Sequence, residues 1–257
     1  MTDYEKLKRD IDKALGIDLT SYKDQQMRRR INQWIERHRL NSYDQLIATL
    51  NKDQDHRQKF KEYLTINTSN FFRDTRVFDD IRDKVLPQIS QRNRPRIWSA
   101  GASIGAEIYS IAILMNEAKF TPSLLLATDL DEMILGKAQA GEYLSNQIAG
   151  ADPVYLEKYF SKKGNDRWVI DESIRKQVVF KKHDLLRSTY ERNFDLILCR
   201  NVFIYFTSET QQRLITNFVQ SLKPSGFFIV GSAEQIMDPT KHGLQRVSYC
   251  IYQKTLQ

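Results

Sequence analysis

The hydrophobic positions near the N-terminus repeat with the period of an α-helix. Apolar residues between Tyr4 and Leu15 fall on one face, and Gly16 follows them as a stop signal. The same spacing recurs three more times before residue 65, and one of these repeats begins behind Ser42, a good N-cap residue. The pattern predicts four short helices that form a small all-α domain.

From residue 96 onward, short apolar runs alternate with helical periods. This rhythm is typical of an α/β fold with a Rossmann-like, mostly parallel sheet. The apolar runs that predict strands are 96–100, 124–128, 194–199 and 227–231, and 247–252 alternates like an antiparallel strand in the edge region. The predicted helices are 77–86, 106–115, 132–140 and 208–222.

Residues 152–182 interrupt this alternation. A short helix at 155–160 is followed by 167–171 and 177–180, which look like a β-hairpin leading into a core strand. A strand–helix sheet does not need such an insertion, so it is a candidate for contact with a substrate or partner. We therefore expect an N-terminal helical domain at 1–75 and a sheet domain at 76–257 with an inserted β-subdomain at about 152–182.

Composition narrows the class of protein. The 257 residues include 41% hydrophobic residues and carry a net charge of +7, which fits partners that are acidic proteins, nucleic acid or anionic membranes. Cys199 and Cys250 form no disulfide framework, the four histidines are scattered, and no apolar run approaches membrane-spanning length. We expect a soluble, cytoplasmic, monomeric protein without a metal and without direct membrane insertion.

The basic residues concentrate on the second predicted helix. Five arginines occur within twelve residues, and only Glu36 offsets them. Such a run is often a solvated helix face, but its density favours a docking surface for something acidic. These arginines are Arg28, Arg29, Arg30, Arg37 and Arg39.

Candidate chemistry lies where the first strand of the sheet ends. Gly101 and Gly105 predict a tight turn into a helix, and Asp129 ends the next strand about 20 residues further on, where a carboxylate suits a ribose. The carboxylate of Glu107, near the helix start, would repel the negative charge of a pyrophosphate. It suits a cation better, such as the amino group of S-adenosylmethionine.

Two further stretches carry polar groups. Residues 65–73 place hydroxyl and amide side chains before two aromatics and Arg73, which makes them a candidate pocket wall. Residues 194–201 form an apolar strand that runs into Arg200 and Asn201, at the sheet edge where ligands bind in α/β folds. Asp184 follows another predicted strand.

With these residues in place, the chain resembles the CheR-type chemotaxis receptor methyltransferases, which use S-adenosylmethionine to esterify glutamate side chains of chemoreceptors. The resemblance covers almost the whole chain, and its motifs are strongly specific in their order and spacing. Two departures occur: Gly105-Ala106-Glu107-Ile108 stands where the family commonly has Gly-Glu-Glu-Pro, and Ser69 stands where threonine is usual. The matching segments are the helical domain, 65–73, 98–110, 127–129, 199–206 and 226–234.

The resemblance implies roles for individual residues. Glu107 would bind the methionine amino group and Asp129 the ribose, while Tyr205 would lie beside the transferred methyl as a catalytic residue together with Arg200. The other implied cofactor-binding residues are Asn67, Ser69, Arg73, Asp184, Arg200 and Asn201. The arginine-rich helix would dock on the acidic helical bundle of a chemoreceptor, and the hairpin resembles the subdomain with which some members bind a receptor tether.

Two other functions remain open from the residues. The basic charge allows a nucleic-acid methyltransferase, although the chain lacks an Asn/Asp-Pro-Pro-aromatic signature and a Pro-Cys pair, and no aromatics interleave with the arginines on the same helix face. A non-catalytic adaptor that binds S-adenosylmethionine is the second alternative. We expect a receptor methyltransferase that needs no tether and does not bind nucleic acid.

Overall fold

The computed structural model describes residues 3–65 and 69–256. Its backbone divides into two compact units. The first, called the helical unit here, contains the N-terminal residues through Thr65 and the later segment Tyr205–Arg213. The second, called the sheet unit, contains Ser69–Ile204 and Leu214–Leu256. The boundaries expected at residue 75 and at 152–182 remain predictions.

The helical unit contains the four predicted N-terminal helices. Gly16 ends the first with a left-handed backbone (φ 69°), and the hydroxyl of Ser42 caps the third by accepting a hydrogen bond from the Gln45 N–H at 3.1 Å. The helices are α1 (Asp3–Leu15), α2 (Asp24–Arg37), α3 (Tyr43–Lys52) and α4 (Gln54–Thr65), with a 3₁₀ turn at Leu19–Ser21.

Aromatic packing holds α2 against α4. The Trp34 ring lies 5.2 Å from that of Phe60 and 5.0 Å from that of Tyr63, and its indole N–H donates to His56 Nε2 at 3.1 Å. Helix α2 ends at Arg37, so the prediction that Arg39 lies on α2 was wrong. Arg39 has a left-handed backbone (φ 53°), which an α-helix does not accommodate.

The sheet unit alternates strands and helices from its first strand onward. Its helices are α5 (Thr75–Asp80), α6 (Leu86–Ser90), α7 (Ala106–Glu117), α8 (Glu132–Ala140), α9 (Ser145–Ile148), α10 (Pro153–Tyr159), α11 (Glu172–Arg175) and the part of α12 (Ser208–Ser221) from Leu214 onward. Its strands are β1 (Arg96–Ala100), β2 (Leu124–Asp129), β3 (Glu142–Leu144), β4 (Phe160–Lys162), β5 (Arg167–Ile170), β6 (Val179–Lys182), β7 (Phe194–Cys199), β8 (Leu222–Val230), β9 (Leu244–Arg246) and β10 (Ile251–Lys254).

Helices α5 and α6 lie close together in sequence. A π-helical turn at Ile81–Val85 separates them, and Pro87 stands in the first turn of α6. The single helix expected at 77–86 is therefore longer and interrupted. Proline is tolerated in a first helical turn because its missing N–H would have no partner there.

The main sheet has seven strands in the order β6-β2-β1-β7-β8-β10-β9. The first five run parallel, and β10 is antiparallel to both its neighbours. The predicted α/β fold with an N-terminal all-α part is confirmed. Because β1 pairs with β2 on one side and with β7 on the other, the strand order reverses between β1 and β7, which is where open α/β sheets bind ligands.

The inserted β-structure is a separate three-stranded antiparallel sheet, in the order β3-β5-β4. The predicted hairpin that leads into a core strand is therefore confirmed, but the hairpin partner of β5 is β4 and not residues 177–180. Strand β5 pairs with β4 and β3, whereas β6 joins the main sheet beside β2. The reason is local: the Asp171 carboxylate accepts the Ser173 N–H at 2.8 Å and starts α11, so a helical turn separates β5 from β6.

The C-terminal strand also differs from the prediction. Residues 247–250 form the connection between β9 and β10, so only the end of the expected strand at 247–252 is extended. Within residues 3–65 and 69–256, we find no helix that is both long enough and apolar enough to span a membrane.

Candidate active site

A glycine turn leads from β1 into α7 at the point where the strand order reverses. The N–H groups of Gly101 and Ala102 donate to the Thr128 carbonyl at 2.8 and 2.9 Å, which ties the turn to the end of β2. Gly101 has φ +75°, and a Cβ atom there would lie 2.7 Å from the Val202 side chain. Glycine is therefore required at this position by both backbone conformation and space.

Asp129 lies at the carboxyl end of β2, as predicted. Its two carboxylate oxygens accept the N–H groups of Ser103 and Asp131 at 2.9 and 3.0 Å. Burial raises the pKa of Asp129, while these backbone hydrogen bonds act in the opposite direction. The carboxylate is thus fixed beside the glycine turn, at the carboxyl end of β2.

Glu107 and Arg200 form a nearly buried ion pair at the start of α7. Arg200 Nη1 lies 3.4 Å from Glu107 Oε2, and the Ser99 hydroxyl donates to Glu107 Oε1 at 2.7 Å. Burial raises the pKa of Glu107, and the charges of Arg200 and Arg73 together with the Ser99 hydrogen bond oppose that rise. Ser99 belongs to β1 and Arg200 follows β7, so the contacts of Glu107 connect the ends of the two strands at the reversal.

The segment before α5 presents Arg73 from a strained backbone. Phe71 and Phe72 are buried in the core of the sheet unit, and the Phe72 N–H donates to the Ser110 hydroxyl at 3.0 Å. Phe72 and Asp74 both have left-handed backbones (φ 51° and 61°), an uncommon conformation for residues other than glycine. The side chain of Arg73 between them is exposed.

The turn after β7 is organised by Glu234, a residue to which the sequence assigned no role. Its buried carboxylate accepts the N–H groups of Asn201, Gly231 and Ile204 at 2.6, 2.7 and 3.1 Å. This fixes Asn201 in a left-handed conformation (φ 61°) directly behind Arg200. An acidic residue three positions after a glycine at a strand end was the only sequence signal for it.

The other predicted site residues have different settings. Asp184 follows β6, half-buried, and its carboxylate accepts the Leu186 N–H at 2.8 Å, so it shapes its own loop. Ser69 is half-buried in the segment before Phe71, and Asn67 lies outside the described residues. Tyr205 is half-buried and belongs to the helical unit, where its carbonyl accepts the Lys23 N–H at 2.9 Å.

The predicted docking arginines do not share one face of α2. The guanidinium of Arg28 lies 4.2 Å from the centre of the Tyr4 ring, whereas that of Arg30 lies 4.5 Å from the Tyr63 ring. Arg30 is half-buried, and desolvation lowers its pKa. Arg28, Arg29, Arg37 and Arg39 are exposed.

A model of the CheR methyltransferase all-alpha domain matches residues 2–65, and one of the CheR methyltransferase SAM-binding domain matches residues 67–250. The chain belongs to the CheR methyltransferase family. The chemotaxis protein methyltransferase of Listeria innocua is 38% identical over 256 residues, which cover 98% of this chain and 97% of that relative. Chemotaxis protein methyltransferase 1 of Pseudomonas aeruginosa is 32% identical, with coverages of 93% and 92%.

Membership confirms the resemblance inferred from the motifs and makes the chain an S-adenosylmethionine-dependent methyltransferase of chemotaxis. The sheet unit fits this cofactor on physical grounds. The Ser103 hydroxyl and Arg200 Nε are buried and have no hydrogen-bond partner within the described parts of the chain. Both lie near the carboxyl ends of β1 and β7, where a polar ligand would satisfy them.

Proposed function

We propose that this chain transfers the methyl group of S-adenosylmethionine to glutamate side chains of chemoreceptors and forms methyl esters. The observation that carries the proposal is the Glu107–Arg200 pair, 3.4 Å apart at the strand reversal. An adjacent carboxylate and guanidinium complement the ammonium and carboxylate that share one carbon atom in an α-amino acid. The methionine end of the cofactor is such a group.

The remaining cofactor contacts in this proposal are those that the family resemblance implies. Glu107 would bind the amino group, Arg200 the carboxylate, and Asp129 the two ribose hydroxyls, since both its oxygens can accept hydrogen bonds. Asp184 and Asn201 would line the adenosine side, and Asn67, Ser69 and Arg73 would reach the cofactor from the segment before α5. Supporting this, the charges at Glu107 and Arg200 are nearly buried, with side-chain exposures of 12% and 3%.

The acceptor carboxylate needs orientation more than activation. A glutamate with a pKa of about 4.3 is already ionised at neutral pH, so the chain needs no general base. When bound, S-adenosylmethionine supplies a methyl on a sulfonium; the acceptor oxygen bonds to it as the carbon–sulfur bond breaks, and the electron pair stays on sulfur. The residues of the chain lower the barrier by aligning the acceptor oxygen and excluding water from it. We assign this alignment to Tyr205 and Arg73, and not to Arg200 as the resemblance implied, because Arg200 is paired with Asp74 and Glu107.

The helical unit would recognise the receptor. The exposed arginines of α2 and Arg39 would attract an acidic helical bundle and steer its approach, an effect that acts mainly on the association rate. A cytoplasmic, monomeric enzyme acting on the cytoplasmic part of a chemoreceptor is consistent with this role.

The test is transfer of a labelled methyl from S-adenosylmethionine to a chemoreceptor cytoplasmic fragment, followed by mild alkali. We expect protein-bound label that alkali releases as methanol, because carboxyl esters hydrolyse readily whereas methylated amines and nucleotides do not. The control is Glu107→Gln, which keeps the size of the side chain but loses its charge and should transfer far less. Alkali-stable label, or label on added nucleic acid instead of the receptor, would refute the proposal.

A further inference from the structure

Asp74 occupies the N-cap position of α5 but does not cap the helix. Aspartate at this position normally accepts a backbone N–H of the first turn, yet the Asp74 side chain makes no such bond. Its backbone is left-handed (φ 61°, ψ 67°), which is unfavourable for a residue with a Cβ atom. Neither feature is explained by the needs of the helix.

The Asp74 carboxylate instead contacts the candidate active site. Its Oδ2 atom accepts a hydrogen bond from Arg200 Nη2 at 2.9 Å and one from the Ser232 hydroxyl at 3.3 Å. The carbonyl of the preceding residue, Arg73, accepts from the same Nη2 atom at 2.9 Å. The segment before α5 therefore holds one end of the Arg200 guanidinium with two acceptors.

This arrangement divides the five N–H groups of Arg200. The two on Nη2 are directed to Arg73 and Asp74, and Nη1 reaches Glu107 at a longer 3.4 Å. Nε is buried without a partner in the described part of the chain. The Nε–H and the second N–H of Nη1 thus remain as separate donors for polar atoms of a ligand, and the 3.4 Å separation keeps Glu107 from a close pair with Arg200 that would neutralise it.

We propose that Asp74 is a positioning residue that holds the Arg200 guanidinium between two carboxylates and thereby leaves both Arg200 and Glu107 free to bind the methionine end of the cofactor. The inference rests on the proposed function of Arg200 but not on the identity of the methyl acceptor. It predicts that Asp74 acts only through Arg200. A helix-capping role would instead affect stability alone.

A double-mutant cycle in the full chain tests this, with the affinity for S-adenosylhomocysteine measured by calorimetry. Asp74→Ala should weaken binding about tenfold, because a charge-assisted contact that places the guanidinium is lost. In an Arg200→Ala background the same change should alter affinity less than about twofold. Asp74→Asn, which keeps an acceptor oxygen without the charge, should fall between wild type and Asp74→Ala.

The matched control is Asp79→Ala. Asp79 lies on the same helix and pairs at 3.0 Å with Arg82 instead of Arg200, so its loss should leave affinity unchanged. If buried Arg200→Ala fails to fold, Arg200→Lys serves in the cycle, since it keeps a cation without the planar fork.

Two results would overturn the proposal. One is an equal loss of affinity in both Arg200 backgrounds, and the other is a lower melting temperature of Asp74→Ala with unchanged affinity. Failure of the proposed function appears differently: S-adenosylhomocysteine would bind with the expected coupling, while no receptor fragment accepts a methyl group. Binding by the variants and transfer by the wild type therefore report separately.

Discussion

The two units use charged side chains in opposite ways. In the helical unit, Arg29 and Arg37 are exposed and Arg28 lies against the Tyr4 ring. In the sheet unit, Arg200 is 3% exposed and shared by Asp74 and Glu107. Exposed charges act over distance and are screened by salt, whereas buried charges require fixed partners and fix geometry in return. The comparison agrees with the proposal that the exposed arginines of the helical unit attract the receptor and that the buried charges of the sheet unit bind the cofactor.

The largest effect should come from a buried carboxylate of the sheet unit. Asp129→Asn should weaken binding of S-adenosylhomocysteine about 100-fold. An amide has one acceptor oxygen, whereas Asp129 accepts N–H groups from Ser103 and Asp131 on both oxygens and would also serve the ribose. Calorimetry measures the change, with Glu132→Gln, an exposed acid paired with Lys182, as the control. Unchanged affinity in Asp129→Asn would remove Asp129 from the site.

A smaller effect, on turnover instead of binding, is expected at Tyr205. Tyr205→Phe should lower the rate of methyl transfer about tenfold while the affinity for the cofactor persists, because only the hydroxyl that aligns the acceptor is lost. Single-turnover transfer and calorimetry separate the two quantities. Tyr249→Phe, at an exposed tyrosine of the sheet unit, is the control. An unaltered rate in Tyr205→Phe would refute a catalytic role.

A still smaller effect should come from the exposed arginines. Arg29→Gln combined with Arg37→Gln should raise the KM for a receptor fragment severalfold and flatten its salt dependence, because screened attraction is removed. Cofactor affinity should not change. Steady-state assays at several salt concentrations measure this, with exposed Arg167→Gln of the small sheet as the control. If the control has the larger effect, docking belongs to the small sheet.

The smallest effect concerns the pH dependence of stability. It arises in the helical unit, where His56 is a titratable side chain whose pKa depends on burial, as the pKa values of the buried charges in the sheet unit do. Burial lowers the pKa of His56, whose Nε2 accepts the Trp34 indole N–H. His56 therefore binds a proton more readily in the unfolded chain than in the folded one. Its contribution to the free energy of unfolding should be fully present above about pH 6.5 and should decline as the pH falls below that value. Melting temperatures at pH 7.5 and 5.5 test this. A decline as large in His56→Gln would exclude His56 as its cause.

The periodic elements could be predicted because their information is local. Helix caps such as Gly16 and Ser42, and the sequence of strand, glycine turn and helix around Gly101, follow from backbone preferences within a few residues. The hairpin partner of β5 could not be predicted in the same way. Strand pairing joins residues distant in sequence. Strand β5 pairs with β4 and not with β6 because the short helix α11 separates β5 from β6, and the only local sequence signal for that helix is its N-cap residue, Asp171.

In the candidate site, too, some features could be predicted from the sequence and others could not. Gly101, Glu107 and Asp129 were sufficient to indicate the cofactor, because chemistry constrains which side chains a strand end carries. The family followed from the resemblance of the ordered motifs along the whole chain. Glu234 was missed because its role is to accept backbone N–H groups of residues about 30 positions away. The partnership of Asp74, Arg200 and Glu107 was equally invisible, since it joins three segments that meet only in the folded chain.

The sequence by itself thus determined the class of fold, the cofactor and which charged residues were candidates for the site. Tertiary structure alone decided which of those charges are buried together and which face solvent. The physical reason is that helical and strand periods are set by neighbours in sequence, whereas the desolvation and pairing of a charge depend on whatever the fold packs against it. Arg28 and Arg200 are the same residue type, and only their surroundings separate a surface cation from a guanidinium held between two carboxylates.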